Sequence, residues 1–475
     1  MEVHHQAAPA VSGGEGSRSS AGELLARCGA GLCSSVAGFG RKLGKIARDD
    51  PRRVAHSLKV GLALTLVSVL YYVRPLFNNW GLSTLWAVLT VVVVMEYTVG
   101  GTLIKGLNRA FATLAAGFLA VGAHKLADLC GAKGEPVLLA VFVFLLASAA
   151  TFSRFIPEVK ARYDYGVTIF ILTFSLVAVS SYRVEELIRL AHQRFCTIAV
   201  GVATCLLTTV FVIPVWAGED LHKLAAANLD KLAEFLEGLE SECFGENGPG
   251  ENLESKAFLY VYKSVLHSKA TEDSLSNFAK WEPPHGKFFF RYPWSQYQNL
   301  GALSRQCASS MQALASYIIT LTKSQVTANS SLHFRHQRIR EPCLIYSLTA
   351  LVFSQHPEAN LELCLKARTA CGEISLNSAK ALRELSAAIR MMTVPSSAKT
   401  HMSAAIKAAR TLGAELAEDD DLAKVMHVAV VASLLSELVV QTKKIAESVD
   451  NLAKSAHFKK PEEDTQKDVV INVGS

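Results

Sequence analysis

Cations and threonines share one face of two apolar segments, a pattern suited to binding anions. The first segment reads TVGGTLIKGLNR at 98–109 and the second lies within 193–216. At helical spacing the residues that align on these faces are Thr102, Lys105 and Arg109 in the first segment, and Arg194 and Thr197 in the second. Charges in a membrane span are costly unless they face water or a partner, and a cavity lined by cations and hydroxyl groups favours anions. The spacing predicts an anion pathway. Spacing alone leaves a second interpretation equally open. In it, Lys105 and Arg109 mark a cytoplasmic loop, and the side chain of Arg194 reaches the membrane surface.

Other chemistry finds little support in the sequence. It contains no phosphate-binding loop, GxSxG, HExxH or kinase signature, so no enzyme is predicted. The ten cysteines include no CxxC pair, and neither a metal site nor a cofactor is predicted. The net charge of +6 is modest for 475 residues and its cations are scattered, which argues against nucleic acid as a partner.

The elements that must position these residues are apolar runs between Val54 and Ala217. Six runs are predicted as membrane spans, at 54–73, 80–96, 98–123, 136–153, 166–181 and 193–216. Several are short, which suits helices that line a shared cavity. The stretch before the first span carries seven Lys and Arg residues, so a multi-pass protein with both termini cytoplasmic is expected.

Beyond the apolar half, amphipathic periodicity predicts a cytosolic helical domain, and the fold class is all-α. The predicted organisation is a disordered arm at 1–48, a six-helix transmembrane domain at 49–217, a cytosolic helical domain at 218–458 and a disordered tail at 459–475. Segment 330–356 switches abruptly from basic to apolar and is interpreted as an atypical insertion.

Several stretches together resemble one known family. They are DDPRRVAHSLKVGLAL, WAVLTVVVVMEYTVGGTLIKGLNR, YDYGVTIFILTFSLVAVSSYR, PVWAGEDLH and WEPPHGKFFFRYPWSQY. The chain resembles the plant aluminium-activated malate transporter family from about Asp49 to Ser316 and again around 359–453. The resemblance implies a homodimeric channel in membrane lipid that passively conducts malate and other anions. Such channels occur in the plasma membrane or the vacuolar membrane, and we expect the plasma membrane here.

The resemblance also assigns roles to residues. Arg109 and Arg194 match pore-lining basic residues of the family, and Lys105 belongs to the same motif. Phe211 begins the stretch associated with GABA sensitivity. The cytosolic signature, with a structural or regulatory role, is Trp281, Glu282 and Pro283.

The chain departs from the family pattern at the positions associated with aluminium. Glu185 is kept, whereas Asn78 and Arg189 stand where aluminium-responsive members carry acids. A trivalent cation needs clustered oxygen ligands, and this change removes them. We therefore predict conduction that is not activated by aluminium. The stretch SSYRVEELIRLAHQRFCTIAVG resembles members of the family that are gated by voltage and anions, so the resemblance implies regulation by anions and voltage.

Two other functions stay open. A secondary carboxylate transporter would be expected to show internal repeats and broken helices, and no repeat is evident. A non-conducting membrane scaffold would use its cytosolic helices to bind partners. Single-channel steps, coupled flux or the absence of current would separate the three.

Overall fold

The structure is a computed structural model that describes residues 36–69, 72, 85–180, 184–244, 255–289, 291–332, 359–417 and 422–460. These residues form helices joined by short turns, and the β pairing among them is limited to isolated bridges. The predicted all-α fold class is confirmed. Asn78, residues 1–35, residues 461–475 and the predicted insertion beyond Leu332 lie outside the described residues.

A helix covers most of each stretch that the apolar runs predicted. In chain order they are α1 (36–49), α2 (Pro51–Val69), α3 (Leu85–Val94), α4 (Val99–Asp128), α5 (Gly131–Ser153), the short α6 (Pro157–Arg162), α7 (Asp164–Ser180) and α8 (Val184–Phe211). Within α4, α5 and α8, three stretches are long and apolar enough to cross a membrane: Val99–Asp128, Lys133–Ser153 and Ala191–Phe211. The number of spans therefore stays a prediction.

Two boundaries differ from the sequence-based expectation. Residues 36–49 are helical, where a disordered arm was predicted up to residue 48. The last apolar run was expected to continue to residue 216, but α8 ends at Phe211. Ile213 adopts a positive φ of 46° and Pro214 follows, and neither feature is compatible with a continuing helix.

The first of two compact units comprises residues 1–97, 109–146 and 169–213. In it, α2 and α8 pack against each other and against α3. The contact between α3 and α8 is close, because a Cβ atom added to Gly201 would lie 2.9 Å from the carbonyl oxygen of Ala87. A second cluster joins α4 to α7 through small residues such as Ala116 and Ala120 around Phe174.

The second unit comprises residues 98–108, 147–168 and 214–475. Its helices in chain order are α9 (Ala217–Leu239), α10 (Tyr262–Leu266), α11 (Lys269–Ala279), α12 (Trp294–Leu332), α13 (Ala359–Met391), α14 (Ala398–Ala417) and α15 (Leu422–Ser455). The amphipathic pattern of α9 is confirmed, because Leu221, Leu232, Phe235 and Leu239 are buried in the core of this unit. The helices α12, α13 and α15 complete that core.

Candidate functional site

The two predicted arginines both contact α3 within the first unit. Arg109 is 2% exposed, and its Nε donates a hydrogen bond of 3.0 Å to Oγ1 of Thr90. Arg194 is 9% exposed, and its guanidinium lies over the ring of Trp86 at 4.7 Å from the centroid. Trp86 and Thr90 are one helical turn apart, so α3 brings the side chains of α4 and α8 to the same stretch of the bundle.

The two arginines differ in how fully they are satisfied. Nε of Arg194 is buried and makes no hydrogen bond with any described residue. Stacking on Trp86 stabilises the cation through the ring face but gives Nε no acceptor. A buried cation with a free donor is costly unless an anion or water completes its surroundings.

The predicted threonines are buried, but their hydroxyl groups are engaged by the backbone. Thr102 donates to the carbonyl oxygen of Thr98 at 3.1 Å, and Thr197 donates to that of Gln193 at 2.9 Å. Such bonds one turn back along a helix are typical of threonine in apolar surroundings. In this arrangement both hydroxyl protons are used for hydrogen bonds within their own helices.

Lys59 is a third buried cation, and its burial was not predicted from the sequence. Its side chain is 1% exposed, and its Nζ makes no hydrogen bond with any described residue. It lies on α2 at helical spacing from the buried Ala63 and Val67, so it occupies the packed face of that helix. This spacing was the available signal. It was obscured because Lys59 ends a basic stretch that reads as a cytoplasmic flank.

Lys105 belongs to the second unit and is half-buried. Its Nζ lies 5.8 Å from the ring centroid of Tyr165, at the start of α7. Beside it, the amide of Asn108 donates to the carbonyl oxygen of Arg162 at 2.9 Å. These contacts fix the first turns of α4 against the segment that follows α5.

Glu282 joins two helix starts within the second unit. Its Oε1 accepts hydrogen bonds from the backbone N–H of Ala217 at 2.7 Å and of Gly100 at 3.2 Å, and its Oε2 accepts one from Gly218 at 3.0 Å. Trp216, which precedes α9, supplies no side-chain cap of its own. One carboxylate therefore satisfies the first N–H groups of both α4 and α9, where the helix dipoles favour negative charge.

The electrostatics of Glu282 reflect two opposing effects. Burial raises the pKa of its carboxyl group, and the backbone donors of Gly218, Ala217 and Gly100 act in the opposite direction. Three donated hydrogen bonds match an ionised carboxylate, which only accepts. The junction depends on close packing as well, because a Cβ atom on Gly100 would lie 2.3 Å from the carbonyl oxygen of Phe278.

The other residues of the cytosolic signature surround this junction. Trp281 is half-buried, and Pro283 is exposed. The carbonyl oxygen of Pro283 accepts a hydrogen bond of 2.9 Å from Nδ1 of His285. That imidazole stacks on Trp216 with 3.9 Å between ring centroids and 9° between planes. The signature thus positions both the carboxylate and the chain that leads into α9.

The remaining predicted residues lie away from these contacts. Phe211 is the last residue of α8 and is 78% exposed. Glu185 lies in the first turn of the same helix, and Arg189 is exposed on it. Asn78, the third aluminium-associated position, lies outside the described residues.

His222 of α9 makes the stability of the second unit depend on pH. Its Nδ1 is hydrogen-bonded to the hydroxyl group of Tyr297 at 2.7 Å, and burial lowers its pKa from 6.5 to about 4. Between these values the unfolded chain binds the proton and the folded chain does not, so stability is lost as the pH falls from 6.5 to 4. The shift corresponds to about 3 kcal/mol of unfolding free energy over the whole window.

We expect His222→Gln to remove most of this pH dependence. The measurement is the thermal unfolding midpoint of the detergent-solubilised chain at several pH values across the window. The matched control is His267→Gln, since His267 is exposed and should keep the wild-type slope. An unchanged slope in His222→Gln would show that other groups cause the acid sensitivity.

Comparison with known proteins agrees with the resemblance in the sequence. A family model described as aluminium activated malate transporter matches residues 44–423. The chain is 62% identical over 461 residues to aluminum-activated malate transporter 1 of Triticum aestivum, covering 96% of this chain and 94% of that relative. It is 45% identical over 427 residues to aluminum-activated malate transporter 2 of Arabidopsis thaliana, covering 88% of this chain and 78% of that relative. The chain belongs to the aluminium-activated malate transporter family.

Proposed function

We propose that the chain is an anion channel that passively conducts malate and other organic or inorganic anions across a plant membrane. The observation that carries the proposal is the pair of buried cations, Lys59 and Arg194, because Nζ of Lys59 and Nε of Arg194 find no hydrogen-bond partner among the described residues. Both lie on helices that pack against α3. Unpaired cations in an apolar bundle are tolerated where anions or water meet them. The family relatives, which are named malate transporters, support malate as the substrate.

The proposed mechanism is electrostatic attraction without tight binding. Arg109 and Arg194 lower the energy of an anion near α3, and Lys59 adds a third positive charge. The guanidinium group matches a carboxylate in shape and hydrogen-bond donors, which suits a dicarboxylate such as malate. Stacking on Trp86 occupies one face of Arg194 and holds the side chain in place. Conduction also requires that each contact be weak enough to release the ion.

The proposal includes the arrangement in the membrane. Each subunit crosses the membrane six times with both termini in the cytoplasm, and two copies form a homodimer. The apolar helices and the basic flank before α2 support this topology. Lys105, one turn before Arg109 on α4, adds positive charge at the cytoplasmic end of that helix. The protein acts as a plasma-membrane channel and not as an enzyme.

We further propose that anions and voltage regulate the channel and that aluminium does not activate it. Asn78 and Arg189 replace the acids that would hold a trivalent cation. Whole-cell recording with internal malate should show an outward anion flux before aluminium is added, and external Al³⁺ should leave the current unchanged. A current that appears only with Al³⁺ would overturn the regulatory proposal while supporting the conduction proposal. Absence of malate current under both conditions, with protein present at the surface, would overturn conduction itself.

A further inference from the structure

Helix α1 presents an exposed apolar face. Its large apolar side chains are spaced three, four and three residues apart, which places them on one side of a helix. They are Val36, Phe39, Leu43 and Ile46, with 64%, 63%, 50% and 44% of their surface exposed. Nothing among the described residues covers this face.

The opposite face of α1 is basic. Its cations are Arg41, Lys45 and Arg48, and a fourth cation, Lys42, lies at the border between the two faces; all four are exposed. Arg41 and Arg48 donate to carbonyl oxygens of their own helix, at 3.4 Å from Ala37 and 3.2 Å from Gly44. None of the four forms a salt bridge with an acid in the part of the chain that the structure describes. Asp49 is the one acidic residue on the helix.

The helical conformation is interrupted between α1 and α2, so α1 is a separate helix. Pro51 begins α2, and Asp50 caps it by accepting the backbone N–H of Arg52 at 3.1 Å. The exposed side of α2 carries Leu58, which is 70% exposed, as expected of a lipid-facing helix. The amphipathic α1 therefore directly precedes a helix of the membrane domain in the chain.

We propose that α1 lies in the lipid–water interface and binds anionic phospholipids. Its apolar side chains enter the acyl layer, and its cations contact phosphate and carboxylate groups of the lipid headgroups. The charge pattern favours this occupant over a second copy of the chain, because a second copy packed on the apolar face would supply no anionic partners for the four cations, whereas anionic headgroups would supply them. The α1 helix is thereby a surface anchor next to the first span.

The test uses the full-length chain reconstituted into vesicles of phosphatidylcholine and phosphatidylserine. The photoreactive residue benzoylphenylalanine replaces Phe39 or Leu43 on the apolar face and, as matched controls, Lys45 or Arg48 on the basic face. After illumination, mass spectrometry identifies the crosslinked partner. We expect phospholipid adducts from positions 39 and 43, in several-fold higher yield than from positions 45 and 48. Adducts with protein at 39 and 43, or equal lipid yields on both faces, would overturn the proposal.

A second arm tests the choice of anionic lipid. The variant carrying Arg41→Gln, Lys42→Gln, Lys45→Gln and Arg48→Gln keeps the apolar face and changes only exposed side chains. With the photoreactive residue at position 43, the lipid adduct yield of this variant should fall about fivefold. The helix that keeps its four cations should show a fall of the same size when the vesicles contain phosphatidylcholine alone. Lipid adduct yields that stay the same in both experiments would contradict the proposed binding of anionic lipid by the cations. Because the readout is a lipid adduct, its result is independent of whether the chain conducts malate.

Discussion

Replacing Arg109 or Arg194 by alanine should reduce the malate current about tenfold or more while the protein still reaches the membrane surface. A unit charge about 10 Å from the ion contributes about 1.7 kcal/mol at an effective dielectric constant of about 20. Each 1.4 kcal/mol changes an equilibrium about tenfold, so losing one arginine depletes anions in the pathway by that order. Both side chains are buried against α3, where screening by water is weak.

The measurement is whole-cell malate current normalised to surface protein. Matched controls are Lys125→Ala on α4 and Arg189→Ala on α8, since both cations are exposed on the same two helices. The controls should keep the wild-type current. Arg109→Ala and Arg194→Ala channels that express at the surface with unchanged malate current and selectivity would refute the pore assignment. Lys59→Met extends the series and should lower the current in the same direction.

Removing the Glu282 carboxylate should destabilise the second unit more than any exposed acid does. In Glu282→Ala, three backbone N–H groups of α4 and α9 lose their acceptor. Buried donors without partners cost about 1–3 kcal/mol each, so a loss of about 3 kcal/mol is a conservative expectation. In a domain of this size that corresponds to a fall of roughly 6–12 °C in the unfolding midpoint. Glu282→Gln should show a smaller loss, because its carbonyl oxygen still accepts while its amide nitrogen donates where the site requires an acceptor.

Thermal unfolding followed by tryptophan fluorescence checks this expectation, since Trp216, Trp281 and Trp294 lie around the junction. Glu234→Gln is the matched control, because Glu234 is exposed on α9. A second perturbation of the same junction is Gly100→Ala, which forces a clash with Phe278, whereas Gly122→Ala on the same helix meets nothing within 4 Å. Unfolding midpoints for Glu282→Ala and Gly100→Ala that equal their controls would show that the junction contributes little.

The sequence predicted the elements well where a single helix face carried the signal. Arg109 and Arg194 were identified from spacing within their own helices, and the structure places both against α3. Lys59 was missed because a lysine at the end of a basic flank has two interpretations, and burial alone separates them. Helix α1 was missed because glycines interrupt a short amphipathic pattern.

The role of Glu282 was beyond reach for a different reason. Its partners lie 65 and 182 residues away in the chain, so no local pattern reveals the shared cap. The Trp-Glu-Pro signature was identified only by its resemblance to the family. The physical function of its carboxylate follows from the fold, which brings the starts of α4 and α9 to one point within the second unit.

The central claim is that this protein forms an anion-selective pore without any other protein. The most direct test is the reversal potential of purified protein in a planar bilayer with a potassium malate gradient. The account predicts unitary current steps that reverse near the malate equilibrium potential, and a shift away from that potential in Arg194→Ala. Reversal near the potassium potential, or saturating flux without unitary steps, would contradict it.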